Sequence, residues 1–176
     1  ADIERVARER VRICEVAGAT AELVTAIDKL IAALLRAFGP AGVAVPSAAA
    51  PRNEAPDRAT ELRLHIVPLR RYQAQLLRRE EPQRSWEVLQ DALVLAPGES
   101  LLLGDLTDLA EELGRFEDLA ELVASWQAIE GDPNRGLVLS IRRADALLRG
   151  GRRDEAKALR ASLDATAPGF IVLTPA

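Results

Sequence analysis

Apolar residues recur at spacings of three and four over most of the chain, the period of helices with one buried face. Ile3, Val6, Ala7, Ile13, Cys14 and Ala17 predict a first helix over about 2–17, with Gly18 as its stop. Thr20 is placed to cap a second helix bearing Leu23, Val24, Ile27, Leu30, Ile31, Leu34, Leu35 and Phe38, ended by Gly39-Pro40. A joint this short predicts an antiparallel hairpin. Residues 39–57 break the pattern. Pro40, Pro46, Pro51 and Pro56 forbid a helix there and nothing alternates as in a strand, so the stretch reads as a long surface loop or linker.

The helical period resumes at Asp57. Leu62, Leu64, Ile66, Leu69, Tyr72, Leu76 and Leu77 predict a third helix, which Pro68 either kinks or starts late. Pro82 suits the first turn of a fourth helix, which carries Trp86, Leu89, Ala92 and Leu93. Ser100–Leu113 and Phe116–Glu130 follow, stopped by Gly114 and Gly131. Asp132-Pro133 reads as an N-cap and first-turn proline opening a seventh helix to Arg149, and Arg152 or Arg153 to Thr166 forms an eighth. The expected fold class is all-α, with about eight helices in about four antiparallel hairpins. The expected core includes Leu30, Leu34, Leu76, Trp86, Leu89, Leu106, Leu119, Trp126, Leu147, Ala156 and Leu159.

Ala96-Pro97-Gly98, Asp132-Pro133-Asn134 and Ala167-Pro168-Gly169 each close such a helix, and their prolines lie 36 and 35 residues apart. A period of this length marks stacked helix pairs. Gly114-Arg115-Phe116-Glu117-Asp118-Leu119-Ala120 resembles the turn between the A and B helices of the tetratricopeptide repeat family, and Asp132-Pro133 resembles that repeat's close. Gly151 to Ala156 keeps the glycine and the small residue, and Pro168 follows at the family spacing, although Arg153 replaces the aromatic. The stretch from Gly114 to Pro133 is two residues too long for the family, and the copy ending at Pro97 has Glu80 or Glu81 at the glycine position. The resemblance covers about residues 60–170 and implies a TPR-like α-solenoid. The expected division is an N-terminal hairpin (1–38), a linker (39–57), TPR-like repeats (58–169) and an apolar tail (170–176) that starts a further repeat. Phe170-Ile171-Val172-Leu173 is in phase with the earlier A-helix starts, so the chain is expected to be one section of a longer array.

Composition changes this picture little. Aromatics make up 3% of the chain, so the core must be built from Leu, Ala, Val and Ile. The net charge of −4 gives no global basic field for nucleic acid. Lys29 and Lys157 are the only lysines, an arginine bias that fits a GC-rich genome. No apolar run is long enough to span a bilayer, and the expected location is cytoplasmic.

Catalytic chemistry finds few residues to use. His65 is the only histidine and Cys14 the only cysteine, which leaves no triad, disulfide or multi-histidine metal cage. Glu80-Glu81 and Glu111-Glu112 are adjacent on helices and do not face each other. Arg70, Arg71, Arg78, Arg79 and Arg84 form the densest basic stretch and read as a solvated face, with Tyr72 the only aromatic among them. No catalytic, cofactor or metal site is expected, and no nucleic-acid or membrane partner.

The expected function is a non-enzymatic helical-repeat scaffold that binds a protein or peptide. In the family resembled, A helices line the concave groove, which implies Arg70, Asp105, Asp108, Arg142 and Asp145 as groove residues. Their mixed charge does not match the family's lysine–asparagine clamp for acidic C-termini. The alternatives are a self-assembling segment, a homo-oligomer formed through the apolar tail, and, furthest from the residues, an enzyme of unrecognised type.

Overall fold

The computed structural model describes residues 2–37, 60 and 62–166, and among these every regular element is helical. The chain divides into two compact units, Ala1–Pro97 and Gly98–Ala176. The linker at 39–57 and the tail at 170–176 lie outside the described residues.

The first unit holds α1 (Asp2–Ala17), α2 (Thr20–Ala37), a single π-helical turn (Leu62–Ile66), α3 (Val67–Leu77) and α4 (Pro82–Leu95). α1 packs on α2, α2 on α3, and α3 on α4. The core gathers around Leu23, Ile27, Leu30, Ile31, Leu34 and Ile66. Polar pins fix each later step. Gln73 on α3 is buried and donates to the Val24 carbonyl of α2 at 3.4 Å, and Ser85 on α4 donates to the Ala74 carbonyl of α3 at 2.8 Å. A buried side-chain donor such as either of these, left without its acceptor, would cost about 1–3 kcal/mol.

Three sequence expectations are corrected here. Val6, Ile13 and Ala17 do not share the buried face of α1. Ala7, Val11 and Cys14 pack against the core instead, and Val6 and Ile13 are exposed. Both sets have helical spacing, so period alone could not choose between them. Thr20 is the first residue of α2 rather than its cap, with the Leu23 amide bonded to the Ala19 carbonyl. Pro68 resolves as a late start: it sits in the first turn of α3, behind the π turn. A π turn advances the chain less per residue than an α turn, which puts Leu64 out of phase with the α3 stripe and leaves it exposed.

The second unit holds α5 (Ser100–Glu112), α6 (Phe116–Ile129), α7 (Pro133–Arg149) and α8 (Arg153–Thr166). Each helix packs on the next, so α5/α6 and α7/α8 are antiparallel hairpins of TPR-like form, joined through α6 and α7. The inter-helix glycines Gly114 and Gly151 have φ of 68° and 83°, a conformation that a side chain resists. Asp132 caps α7 by accepting from the Asn134 amide at 2.9 Å, and Pro133 fills the position where a missing N–H costs nothing.

Leu102, Leu103, Leu106, Leu109, Leu119, Val123 and Leu147 are buried, together with the small residues Ala120 and Ala156 of the repeat-like turns. Leu76, Trp126 and Leu159 are half-buried rather than core. Trp126 lies over α5, where a Cβ added at Gly104 would stand 3.4 Å from its ring. Gln127 on α6 donates to Ser140 Oγ on α7 at 2.7 Å, and Ser140 donates onward to the Gly136 carbonyl at 2.8 Å.

Candidate partner-binding surface

In the second unit, helical period sets the outer faces of α5 and α7. On α5 the buried residues occupy one side, and Leu101, Asp105, Asp108 and Glu112 run along the other at spacings of four and three. On α7 the outward row is Val138, Arg142, Asp145 and Arg149. Leu101 and Val138 are both more than half exposed, so each row begins with an apolar residue and continues with charges.

Ion pairs tie the two rows together. Arg142 Nη2 lies 2.8 Å from Asp108 Oδ1 and 3.2 Å from Glu111 Oε2. Arg149 Nη1 lies 3.2 Å from Glu111 Oε1 and 3.8 Å from Asp145 Oδ2, and its guanidinium stacks 4.0 Å from the Phe116 ring centroid. Both arginines are therefore engaged by carboxylates of the unit itself. On these two faces Asp105, Asp108, Glu111, Glu112 and Asp145 outnumber Arg135, Arg142 and Arg149, and the surface is acidic in balance. Glu111 and Arg149 were not anticipated. The signal was present, since Glu111 follows Asp108 by three residues and Arg149 follows Arg142 by seven.

A third arginine fastens α6 to α8. Arg152 Nη1 bonds Glu121 Oε1 at 2.7 Å, while its Nε and Nη2 grip both oxygens of Glu155 at 2.7 and 2.6 Å. Hydrogen bonding to Arg152 holds the Glu155 carboxyl below its ordinary range, and bonding to Glu155 and then Glu121 pushes the Arg152 guanidinium up. An open cleft of about 370 Å³ runs along Gly114–Asp118, Arg149 and Gly150. Its acids Glu117 and Asp118 occupy the first turn of α6, where carboxylates complement the helix dipole.

Arg70 belongs to the first unit. Its Nη1 bonds Asp28 Oδ1 at 3.0 Å and Gln73 Oε1 at 2.8 Å, with only 18% of its side chain exposed. Gln73 is itself buried, so this arginine joins α3 to α2 as part of the packing. Cys14 is a free, half-buried thiol against the α2 core, and His65 is exposed. Among the described residues no group of three or more His, Cys, Asp or Glu is placed to hold a metal ion, and no helix is long and apolar enough to cross a membrane.

These features define a class: an all-α protein of TPR-like helix hairpins with a charged face on its A helices. No family model matches the sequence, and no curated protein matches it. Solved structures similar to it include two of MamA. One, described as MamA MSR-1 C2, is 14% identical and covers 94% of this chain and 77% of its own, with a TM-score of 0.48. The other, a crystal structure of MamA protein, is 14% identical and covers 99% of both chains, with a TM-score of 0.46. At these values the fold is read from the hairpins of this chain itself.

Proposed function

We propose that this protein is a non-enzymatic helical-repeat scaffold, and that its second unit binds a protein or peptide partner on the outer faces of α5 and α7. One observation carries the reading: Asp105, Asp108, Arg142 and Asp145 share one side of two helices that Arg142 and Arg149 bridge. The carboxylates of the two faces outnumber their arginines, so the net charge offered to a ligand is negative. The partner class that complements it is a basic segment with one or two apolar residues to meet Leu101 and Val138. Arg70 remains a candidate contact of the first unit, though its bonds to Asp28 and Gln73 support a packing role more than a binding one.

The test is affinity capture by the full chain from extract of its source cells, repeated with Asp105→Arg and Asp145→Arg. Asp164→Arg, an exposed charge on α8, serves as the control. A partner retained by wild type and control but lost by both reversals supports the surface. Retention by both reversals removes it. A recovered partner that proves to be the same chain, together with a concentration-dependent increase in sedimentation, replaces the reading with self-assembly.

A further inference from the structure

The first helix of the first unit is apolar on two opposite faces. Ala7, Val11 and Cys14 pack toward α2. On the other side Val6, Ile13 and Val16 are 63%, 61% and 84% exposed. With Glu9 they fall at 6, 9, 13 and 16, the alternating four-and-three spacing of a coiled-coil seam. The seam's flanks are basic: Arg5 and Arg12 line one edge and Arg10 the other, all exposed. We infer that the outer face of α1 docks an amphipathic helix of another protein, one whose apolar stripe is flanked by aspartate or glutamate.

The flanking charges select this occupant over a second copy of the chain. A parallel pair of α1 helices sets Arg5 of one copy against Arg10 of the other, and an antiparallel pair sets Arg5 and Arg12 against the same two residues. Like charges meet at the seam edges in either orientation. A lipid surface fits less well. The seam carries Glu9 at its middle, and none of its exposed apolar residues is aromatic, whereas helices that lie in a bilayer interface keep an uninterrupted apolar face with Trp, Phe or Leu. An acidic helix satisfies both edges. Glu9 further calls for one cation at the facing position of the partner, which would fix the register as a single polar seam residue does. This site is independent of the α5–α7 surface.

The experiment uses two three-heptad peptides with leucine at the seam and one central lysine there. One has glutamate at both edges and the other has lysine. Binding to the full chain is followed by fluorescence anisotropy. The glutamate peptide is expected to bind, with the lysine peptide weaker by at least about tenfold. Arg5→Glu combined with Arg12→Glu should reverse that preference, and Ile13→Glu should abolish binding with an unchanged circular dichroism spectrum. Equal binding of both peptides, or of neither, overturns the proposal. So does binding only to phosphatidylcholine–phosphatidylserine vesicles, or a concentration-dependent dimer that Ile13→Glu removes.

Discussion

Arg142 on α7 reaches across to Asp108 on α5, Nη2 to Oδ1 at 2.8 Å, and the same nitrogen is shared with Glu111 at 3.2 Å. Two A helices that belong to successive hairpins are thereby joined at their surface. With 57% of the Asp108 side chain exposed, the pair contributes only about 0–1 kcal/mol. Asp108→Asn should therefore lower the melting temperature slightly, and added salt should shrink the difference. The exchange Asp108→Arg with Arg142→Asp should recover stability over either single reversal. Thermal melts of the four proteins check this, and a loss well above that range would mean that the pair is part of the packing.

Leu106 lies on the opposite side of α5 from Asp108 and is fully buried. Leu106→Ala leaves a cavity among Leu102, Leu103, Leu109 and their neighbours, and should cost about 2–5 kcal/mol in denaturant unfolding. An unchanged midpoint would show that this face of α5 is not the core.

Gly136 sits inside α7 with open space where its Cβ would be. Gly136→Ala should stabilise the protein by roughly 0.5–1 kcal/mol, because alanine loses less backbone entropy in a helix. The Ser140 bond to the carbonyl of residue 136 is backbone-directed and survives the change. A destabilised variant would mean that α7 is not helical at this position.

Tyr72 is the only tyrosine, so its ultraviolet titration reads one group. Burial, and then its hydrogen bond to Glu15 Oε1 at 3.0 Å, raise its pKa above 10.0. Because the folded value is raised, the stabilisation is complete below the unfolded pKa and is lost as pH rises through the folded one. The midpoint should lie above that of denatured protein and fall toward it in Glu15→Gln. A midpoint at or below the denatured value would mean that the Tyr72–Glu15 contact between α3 and α1 is not made.

The turns were the most legible part of this fold. Gly114, Gly151 and Asp132-Pro133 each have a conformation that only a few residue types satisfy, so residue identity located them. The repeat of such turns, with apolar period between them, was enough to give eight helices in hairpins. The faces were less legible. Period reports that a face is apolar and is silent about whether anything covers it, so Val6 and Ile13 were read inward when Val11 was the residue that packs. Trp126 was assigned to the core as one of few aromatics, at a B-helix position, yet it is only half-buried and lies over Gly104. Of the candidate surface, Asp105, Asp108, Arg142 and Asp145 could be placed by aligning turns. Glu111 and Arg149 stand at helical spacing from Asp108 and Arg142, but spacing does not report their role, which depends on arginine side chains reaching between helices.

Amide hydrogen exchange of the full chain, free and bound to the partner it captures, tests the binding surface most directly. Slowed exchange is expected in α5 (Ser100–Glu112) and α7 (Pro133–Arg149), with α6 and α8 unchanged, and Asp105→Arg should abolish the difference. Protection confined to α6 and α8, or a bound-state pattern that Asp105→Arg leaves intact, would contradict the assignment of the α5 and α7 faces as the site of binding.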